Sequence, residues 1–306
     1  MAGNPIAIKM IGSTIDRNIR DITDNPQRGV KNLIDLAYRY SSSPLQRELI
    51  KSLQPMLMNP NSPYYNIIPS LVNGVNHYTI KTFIINMSYN SFSHGRKKIK
   101  QYQKAHNYKI PWTIIIDFTK EPNSNLNKTT ILNIIDQGRK TGIYTYMFFI
   151  NQTDHFSDIL RRNPDCAFIL YATPTLFIEE NILELKSIHN TFFAVLYQPN
   201  IDIQAFKNAT KLLYDHKCLF GSYTYYSNEN IEYILSNRWV DEIITSKSPF
   251  GFLIESPNCS PANASLIHDY VDSSKVNPKY PAFLIDLYED MAKIDNHLSK
   301  DPKKIP

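Results

Sequence analysis

The sequence predicts an α/β protein, a partial (β/α)6 barrel of the TIM type preceded by a small helical domain. Three observations carry that expectation. Apolar residues keep a helical period up to about residue 107. From Tyr108 onward, apolar runs of strand length alternate six times with amphipathic segments. Those runs are apolar at nearly every position, so they are buried on both faces, as parallel strands joined by right-handed crossover helices are. Six such units between residues 108 and 256 suit an open or partial barrel better than the eight strands of a closed one.

Residues 1–107 read as helices throughout. Val30, Leu33, Ile34 and Ala37 recur at helical spacing. Ser43, Pro44 and Gln46 supply an N-cap, a proline for the first turn and a capping-box partner for a helix carrying Leu45, Leu49 and Leu53. Pro55 should end or kink it. After the turn-rich stretch MNPNSPYYN, Ile80, Phe83, Ile84 and Met87 mark a longer amphipathic helix that closes near Gly95. No chemistry is evident here. A small bundle packed on the next domain is expected.

The first strand, Trp112–Phe118, ends in a polar Pro/Asn/Ser loop, and its helix covers Thr129–Thr141 with Gly142 as C-cap. Later strands are Ile143–Ile150, Cys166–Tyr171, Thr191–Tyr197, Cys218–Tyr225 and Pro249–Glu255. Their helices are His155–Arg162, Ile178–Ile188, Ile201–His216 and Asn230–Asn237. Residues 257–306 read as a tail with one helix, Phe283–Leu298, and a frayed Lys/Pro-rich end.

Composition narrows the class. With 306 residues, 42% hydrophobic and 20% charged, the chain is a globular protein with no apolar run near the ~20 residues of a membrane span. The N-terminus lacks a cleavable signal layout, so a cytoplasmic location is expected. Cys166, Cys218 and Cys259 are too scattered for a disulfide framework or a zinc or iron–sulfur ligand set, and read as small hydrophobes. The net charge of +5 is mild. Its densest stretch, Arg96, Lys97, Lys98, Lys100 and Lys104, reads as a solvated helix face, with nucleic-acid binding as the alternative.

Position nominates the candidate site. Side chains just past the strand ends converge on the mouth of such a barrel. They are Asp117, Asn151, Gln152, Thr173, Thr175, Gln198, Tyr225 and Glu255. Asp117 and Glu255 could pair for acid–base work, or Asp117 could cap its own loop while Glu255 is solvated. His155, His189 and His216 sit at helix ends, where the macrodipole explains them without a metal. No Gly-rich loop follows a strand, and nine glycines leave little backbone able to approach a pyrophosphate. The 20 tyrosines suit a core and an apolar pocket equally.

The order of these segments resembles the radical S-adenosylmethionine enzymes, in particular the bacterial subgroup with a helical N-terminal region. Tyr64-Tyr65, Ile84-Asn86 and Ile110-Pro111-Trp112 with Asp117 resemble the approach to that family's first strand. Thr141-Gly142-Ile143-Tyr144 resembles the entry to its second. Asn163 to Phe168, then Thr175-Leu176 and Glu179, resemble its third unit. Phe220-Gly221, Asn230, Asp241-Glu242 and Phe250-Gly251-Phe252 are similar to its fifth strand and the approach to its sixth.

The family's catalytic motifs are not matched. Its first loop carries Cys-x-x-x-Cys-x-x-Cys for a [4Fe–4S] cluster whose open iron takes S-adenosylmethionine. Here Thr119–Lys128 is shorter and cysteine-free, with Pro122 near the place of the first thiolate. The family's Gly-Gly-Glu-Pro corresponds to Ile150-Asn151-Gln152-Thr153, and its Thr-Asn-Gly-Thr-Leu to Ala172-Thr173-Pro174-Thr175-Leu176. The resemblance therefore implies a degenerate member without cluster or cofactor, serving as a binding or accessory protein for an intact relative or its substrate. An enzyme of another class built around Asp117, Asn151 and Glu255 is the alternative.

Overall fold

A computed structural model describes residues 3–41, 44–120, 126–152, 156–199 and 202–299. The N-terminal region consists of α1 (Pro5–Asp24), α2 (Pro26–Tyr40), α3 (Pro44–Met58), α4 (Ile67–Gly74), α5 (His77–Ile84) and α6 (Arg96–His106). A 3-10 turn, Pro63–Asn66, precedes α4, and a π-helix, Ile85–Gly95, joins α5 to α6. Asparagines start these helices. Asn4, Asn25 and Asn76 each accept a backbone N–H of the first turn, and proline follows the first two. Ser43 lies outside the described residues. Pro55 sits inside α3, which ends about a turn later than expected, at Met58.

Gly95 corrects the sequence reading. It does not close a helix, because α5, the π-helix and α6 run on without a break and Gly95 has helical angles. Its role is close approach. A Cβ there would lie 2.3 Å from Gly142 O, on the turn between helix and strand that follows. Gly142 has φ +111°, the left-handed C-cap expected of it.

The second region alternates strands and helices: β1 (Thr113–Asp117), α7 (Lys128–Thr141), β2 (Thr145–Ile150), α8 (Phe156–Arg162), β3 (Ala167–Ala172), α9 (Glu179–Leu185), β4 (Thr191–Leu196) and α10 (Ile203–Asp215). It continues with β5 (Phe220–Tyr226), α11 (Ile231–Leu235), α12 (Arg238–Thr245), β6 (Phe250–Glu255), α13 (Pro261–Val276), β7 (Phe283–Asp286) and α14 (Leu287–Ser299). Every neighbouring pair is parallel and the order is β1 to β7, a curled half-barrel of the partial TIM type.

The C-terminal segment departs from expectation. It is not a tail with one helix: α13 crosses over to a seventh strand, and α14 begins only at Leu287. Phe283–Asp286 pairs in register with Phe250–Leu253, so the four residues FLID extend the sheet rather than open a helix. Helix α12 was also not expected. Its apolar face buries Trp239, Val240 and Ile243.

Side chains alternate across the sheet. Tyr146 Oη donates to Ile135 O on α7, and the Phe148 ring meets Phe156 on α8, so these residues face the outer helices. Their neighbours Met147 and Phe149 therefore face the concave side. Along that side Phe149 is in register with Asp117 and Tyr171.

The N-terminal helices close the edge where the strands begin. Asn86 Nδ2 donates to Pro164 O at 2.9 Å and Cys166 O at 2.8 Å, just before β3. Asn90 Nδ2 donates to Asp165 O at 2.9 Å and to Asn86 Oδ1 at 2.9 Å. Ser91 Oγ and Thr145 Oγ1, at the start of β2, share a hydrogen bond of 2.7 Å. Asn76 N donates to Lys217 O ahead of β5. Cys166 and Cys218 are free thiols buried at this same edge. Among the described residues no helix is long and apolar enough to cross a membrane.

Candidate functional site at the strand ends

The opposite edge, where the strands end, holds the residues the sequence nominated. Asp117 is the last residue of β1. Its Oδ1 accepts from Thr119 N at 2.9 Å and Thr119 Oγ1 at 2.6 Å, and Lys120 Nζ lies 3.4 Å from Oδ2. Burial pushes this carboxyl upward, but the bonds from Thr119 and Lys120 outweigh it and hold the group below the usual aspartate range. Asp117 thus organises its own loop and is a weak base at neutral pH. The rest of that loop, residues 121–125, lies outside the described residues.

A wall of aromatic rings fills the concave face beside it. Phe149 stacks on Tyr171 with centroids 4.6 Å apart, and Tyr171 meets Tyr223 at 5.2 Å and Phe252 at 5.7 Å. All four rings are buried. Tyr171 Oη, also buried, has no hydrogen-bond partner among the described residues, and burial raises its phenol well above the ordinary range. Burial and then the charge of Asp117 push Tyr225 up to about 12. On α14, the Tyr288 phenol is raised chiefly by burial. Lys120 opposes that shift, and Asp117 and Glu255 add to it. Asp117 ends β1, Tyr225 is the penultimate residue of β5, half-buried Glu255 ends β6 and Tyr288 lies in the first turn of α14 directly after β7, so all four lie at the strand-end edge.

The remaining nominees sit around the rim. Asn151 and Gln152 are exposed directly after β2, and Gln198 is half-buried two residues after β4. Thr173 and Thr175 are exposed and share a hydrogen bond of 2.9 Å with each other.

The histidines divide. His155 lies outside the described residues. His216 is the C-cap of α10 and its Nε2 lies 2.8 Å from Glu179 Oε1, a helix-end role as expected. His189 does not end a helix, since α9 stops at Leu185. Its Nδ1 instead lies 2.8 Å from Thr79 Oγ1 on α5, tying the helical region to the edge ahead of β4. Of the basic stretch, Lys98 Nζ donates to Arg139 O at 2.6 Å, Arg96 is half-buried, and Lys97 and Lys104 are exposed.

One polar cluster escaped the sequence reading. Asp286, at the end of β7, is buried and bonded through Oδ2 to His268 Nδ1 of α13. Tyr226 Oη lies 3.5 Å from the same oxygen, and Oδ1 has no partner among the described residues. Asp286 N donates to Asp290 Oδ2 at 3.1 Å, and both oxygens of Asp290 hold Lys275 Nζ at 2.6 Å. Burial raises the Asp286 carboxyl, with His268 opposing and Asp290 assisting. Neither α13 nor β7 was expected, so nothing in the sequence pattern brought these residues together.

The residues at the mouth do not fit an iron–sulfur cluster. Thr119–Lys128 contains no cysteine, and Cys166 and Cys218 lie at the far edge of the sheet. Burial pushes both thiols up, Cys218 to about 12, which disfavours the thiolate a metal requires. Among the described residues no three His, Cys, Asp or Glu side chains come together as a metal site.

No family profile and no curated protein matches this chain. Among solved structures it is similar to SuiB of Streptococcus suis, at 12% identity and TM-score 0.46, over 62% of this chain and 52% of that one. SuiB bound to S-adenosylmethionine gives 12% identity and 0.47 over 62% and 53%, and SuiB bound to the precursor peptide SuiA gives 12% and 0.44 over 65% and 55%. The chain spans about half the length of these structures.

Proposed function

We propose that this chain is a non-catalytic binding protein built on a radical S-adenosylmethionine-like half-barrel, acting as an accessory to an intact relative or to that relative's substrate. The observation that carries the reading is the placement of its thiols. The loop leaving β1 has none, and two of the three cysteines are buried at the opposite edge. The furnishing of the mouth agrees with binding rather than radical chemistry. Its concave face is closed by packed rings, the Asp117 carboxylate is committed to Thr119 and Lys120, and its rim offers exposed amides and hydroxyls. The exposed amides and hydroxyls of that rim, Asn151, Gln152, Thr173 and Thr175, suit adaptable recognition of a polypeptide segment.

Anaerobic reconstitution with iron and sulfide tests this directly. The expected result is no stoichiometric charge-transfer absorbance and no reductive cleavage of S-adenosylmethionine. A stoichiometric cluster that cleaves the cofactor overturns the proposal. A second reading, an enzyme of another class using Asp117, Asn151 and Glu255, is favoured by one observation, the shared edge of the sheet on which Asp117 ends β1 and Glu255 ends β6. Once any turnover is found, unchanged rates in Asp117→Asn and Glu255→Gln remove it.

A further inference from the structure

The helical region contains a cavity unrelated to the mouth. It measures about 460 Å³ and lies between α1, α2, α3 and the π-helix. Met10, Ile11, Leu36, Ile50, Ile84 and Phe92 are among the side chains that face it. That volume falls within the range of small-molecule sites. Four of the five hydroxyls on its walls have hydrogen-bond partners. Thr14 Oγ1 donates to Met10 O, Ser88 Oγ to Ile84 O, and Ser41 Oγ to Tyr38 O, while Tyr89 Oη accepts from Asn4 N. An occupant is therefore held chiefly by apolar contact along the walls.

The π-helix builds one wall. Its hydrogen bonds span one residue more than those of an α-helix, so residues four and five apart share a face. Ser88, Tyr89 and Ser93 all reach the cavity that way, beside Ile84 at the end of α5. The mouth has apolar side chains in solvent: Met10 is 60% exposed, and Ile6, one turn away on α1, is 70% exposed. Ordinary core packing leaves no such continuity between an internal cavity and a surface patch.

One end carries positive charge. Ser41 lines the cavity, and Arg47 Nε donates to Ser41 Oγ at 3.3 Å. The Arg47 guanidinium and Lys51 Nζ sit 6.0 and 5.8 Å from the centre of the Tyr38 ring. Neither cation pairs with a carboxylate among the described residues. An apolar chamber with two exposed cations at one end is complementary to a single-chain carboxylate. From this geometry we infer that the helical region binds a free long-chain fatty acid, with the tail among α1, α2 and the π-helix and the carboxylate at Arg47 and Lys51. The inference is independent of what the half-barrel does.

Calorimetric titration of the full chain tests it with three amphiphiles of equal chain length, each below micelle formation: dodecanoate, dodecanol and dodecyltrimethylammonium. Dodecanoate should bind at least tenfold tighter than the cation, with dodecanol between them. The double change Arg47→Gln with Lys51→Gln should bring dodecanoate and dodecanol within about threefold. Ala37 lines the cavity and is exposed rather than part of the core, so Ala37→Phe adds a ring at the chamber wall. It should lower dodecanoate affinity at least tenfold with an unchanged circular dichroism spectrum and no fall in melting temperature. Equal binding of anion and cation, undiminished binding by the filled variant, or no binding of dodecanoate overturns the inference. Binding to anionic vesicles without binding of monomeric dodecanoate also overturns it, in favour of a membrane-facing patch.

Discussion

The two edges of the half-barrel are furnished on different principles. Where the strands begin, buried amides and hydroxyls of the helical region reach across and satisfy backbone carbonyls ahead of β3 and a threonine opening β2. Asn86, Asn90 and Ser91 are each at most 3% exposed there. Where β1 and β3 end, the polar groups bond within their own loops, as Asp117 does with Thr119 and Thr173 does with Thr175, and Asn151 and Gln152 after β2 stand in solvent. A buried polar contact between regions is costly to leave half-made, so it fixes one docking geometry. A rim of self-satisfied groups fixes nothing and can accommodate a partner. The first edge is a structural joint, and on the proposed reading the second is the free surface.

The largest way to break that contrast is at the joint. Asn86→Ala removes the donor to Pro164 O and Cys166 O and the acceptor for Asn90. The groups left behind are buried without partners, which costs about 2–4 kcal/mol in total. Urea denaturation should show that loss, whereas Gln152→Ala at the rim should change stability by less than about 0.5 kcal/mol. Similar losses for both changes would erase the distinction between the edges.

An intermediate effect is expected at Asp286, which sits near the mouth but is built like the joint. Its carboxyl is raised by burial, so its contribution to stability is complete below the ordinary aspartate value of about 3.9 and is lost as pH rises through the higher folded value. On acidification from neutral pH toward that value, the native chain should therefore gain stability relative to Asp286→Asn. Urea midpoints at several pH values measure the gap. A gap that stays constant or narrows contradicts the assignment.

How far the sequence reaches can be judged from particular elements. The strands β1 to β6 were legible because both of their faces are buried, which leaves runs such as TYMFFI with no polar interruption. β7 was not, because FLID runs directly into LYEDMAKI and a four-residue strand has too few periods to separate from the helix it adjoins. The joint was not legible for a different reason. Ile80, Phe83, Ile84 and Met87 keep an α-helical period, and nothing in that pattern announces the π-helix from Ile85 that carries the buried Asn86, Asn90 and Ser91. At the mouth, Asp117 and Tyr225 could be nominated from their place at strand ends. The bonds that commit Asp117 to its own loop depend on loop geometry that composition does not reveal.

The smallest effect sharpens the comparison most, because it probes a group the structure describes as self-satisfied yet electrically coupled to the mouth. The Asp117 carboxyl is held below its ordinary range, so its contribution to stability is present above about pH 3.9 and is lost as pH falls through the lower folded value. Asp117→Asn should cost only about 0.5–1 kcal/mol at neutral pH, since the loop it organises is partly solvated. It should also remove a negative charge that helps hold Tyr225 and Tyr288 protonated. Ultraviolet titration of tyrosinate should therefore show phenols ionising at lower pH in the variant than in the native chain. Asn86→Ala, measured as the folded protein at the same pH, should leave that titration unmoved, because its contacts lie at the other edge. If Asp117→Asn costs as much stability as Asn86→Ala, or if the phenols do not respond to it, the mouth is a second structural joint and the free-surface reading fails.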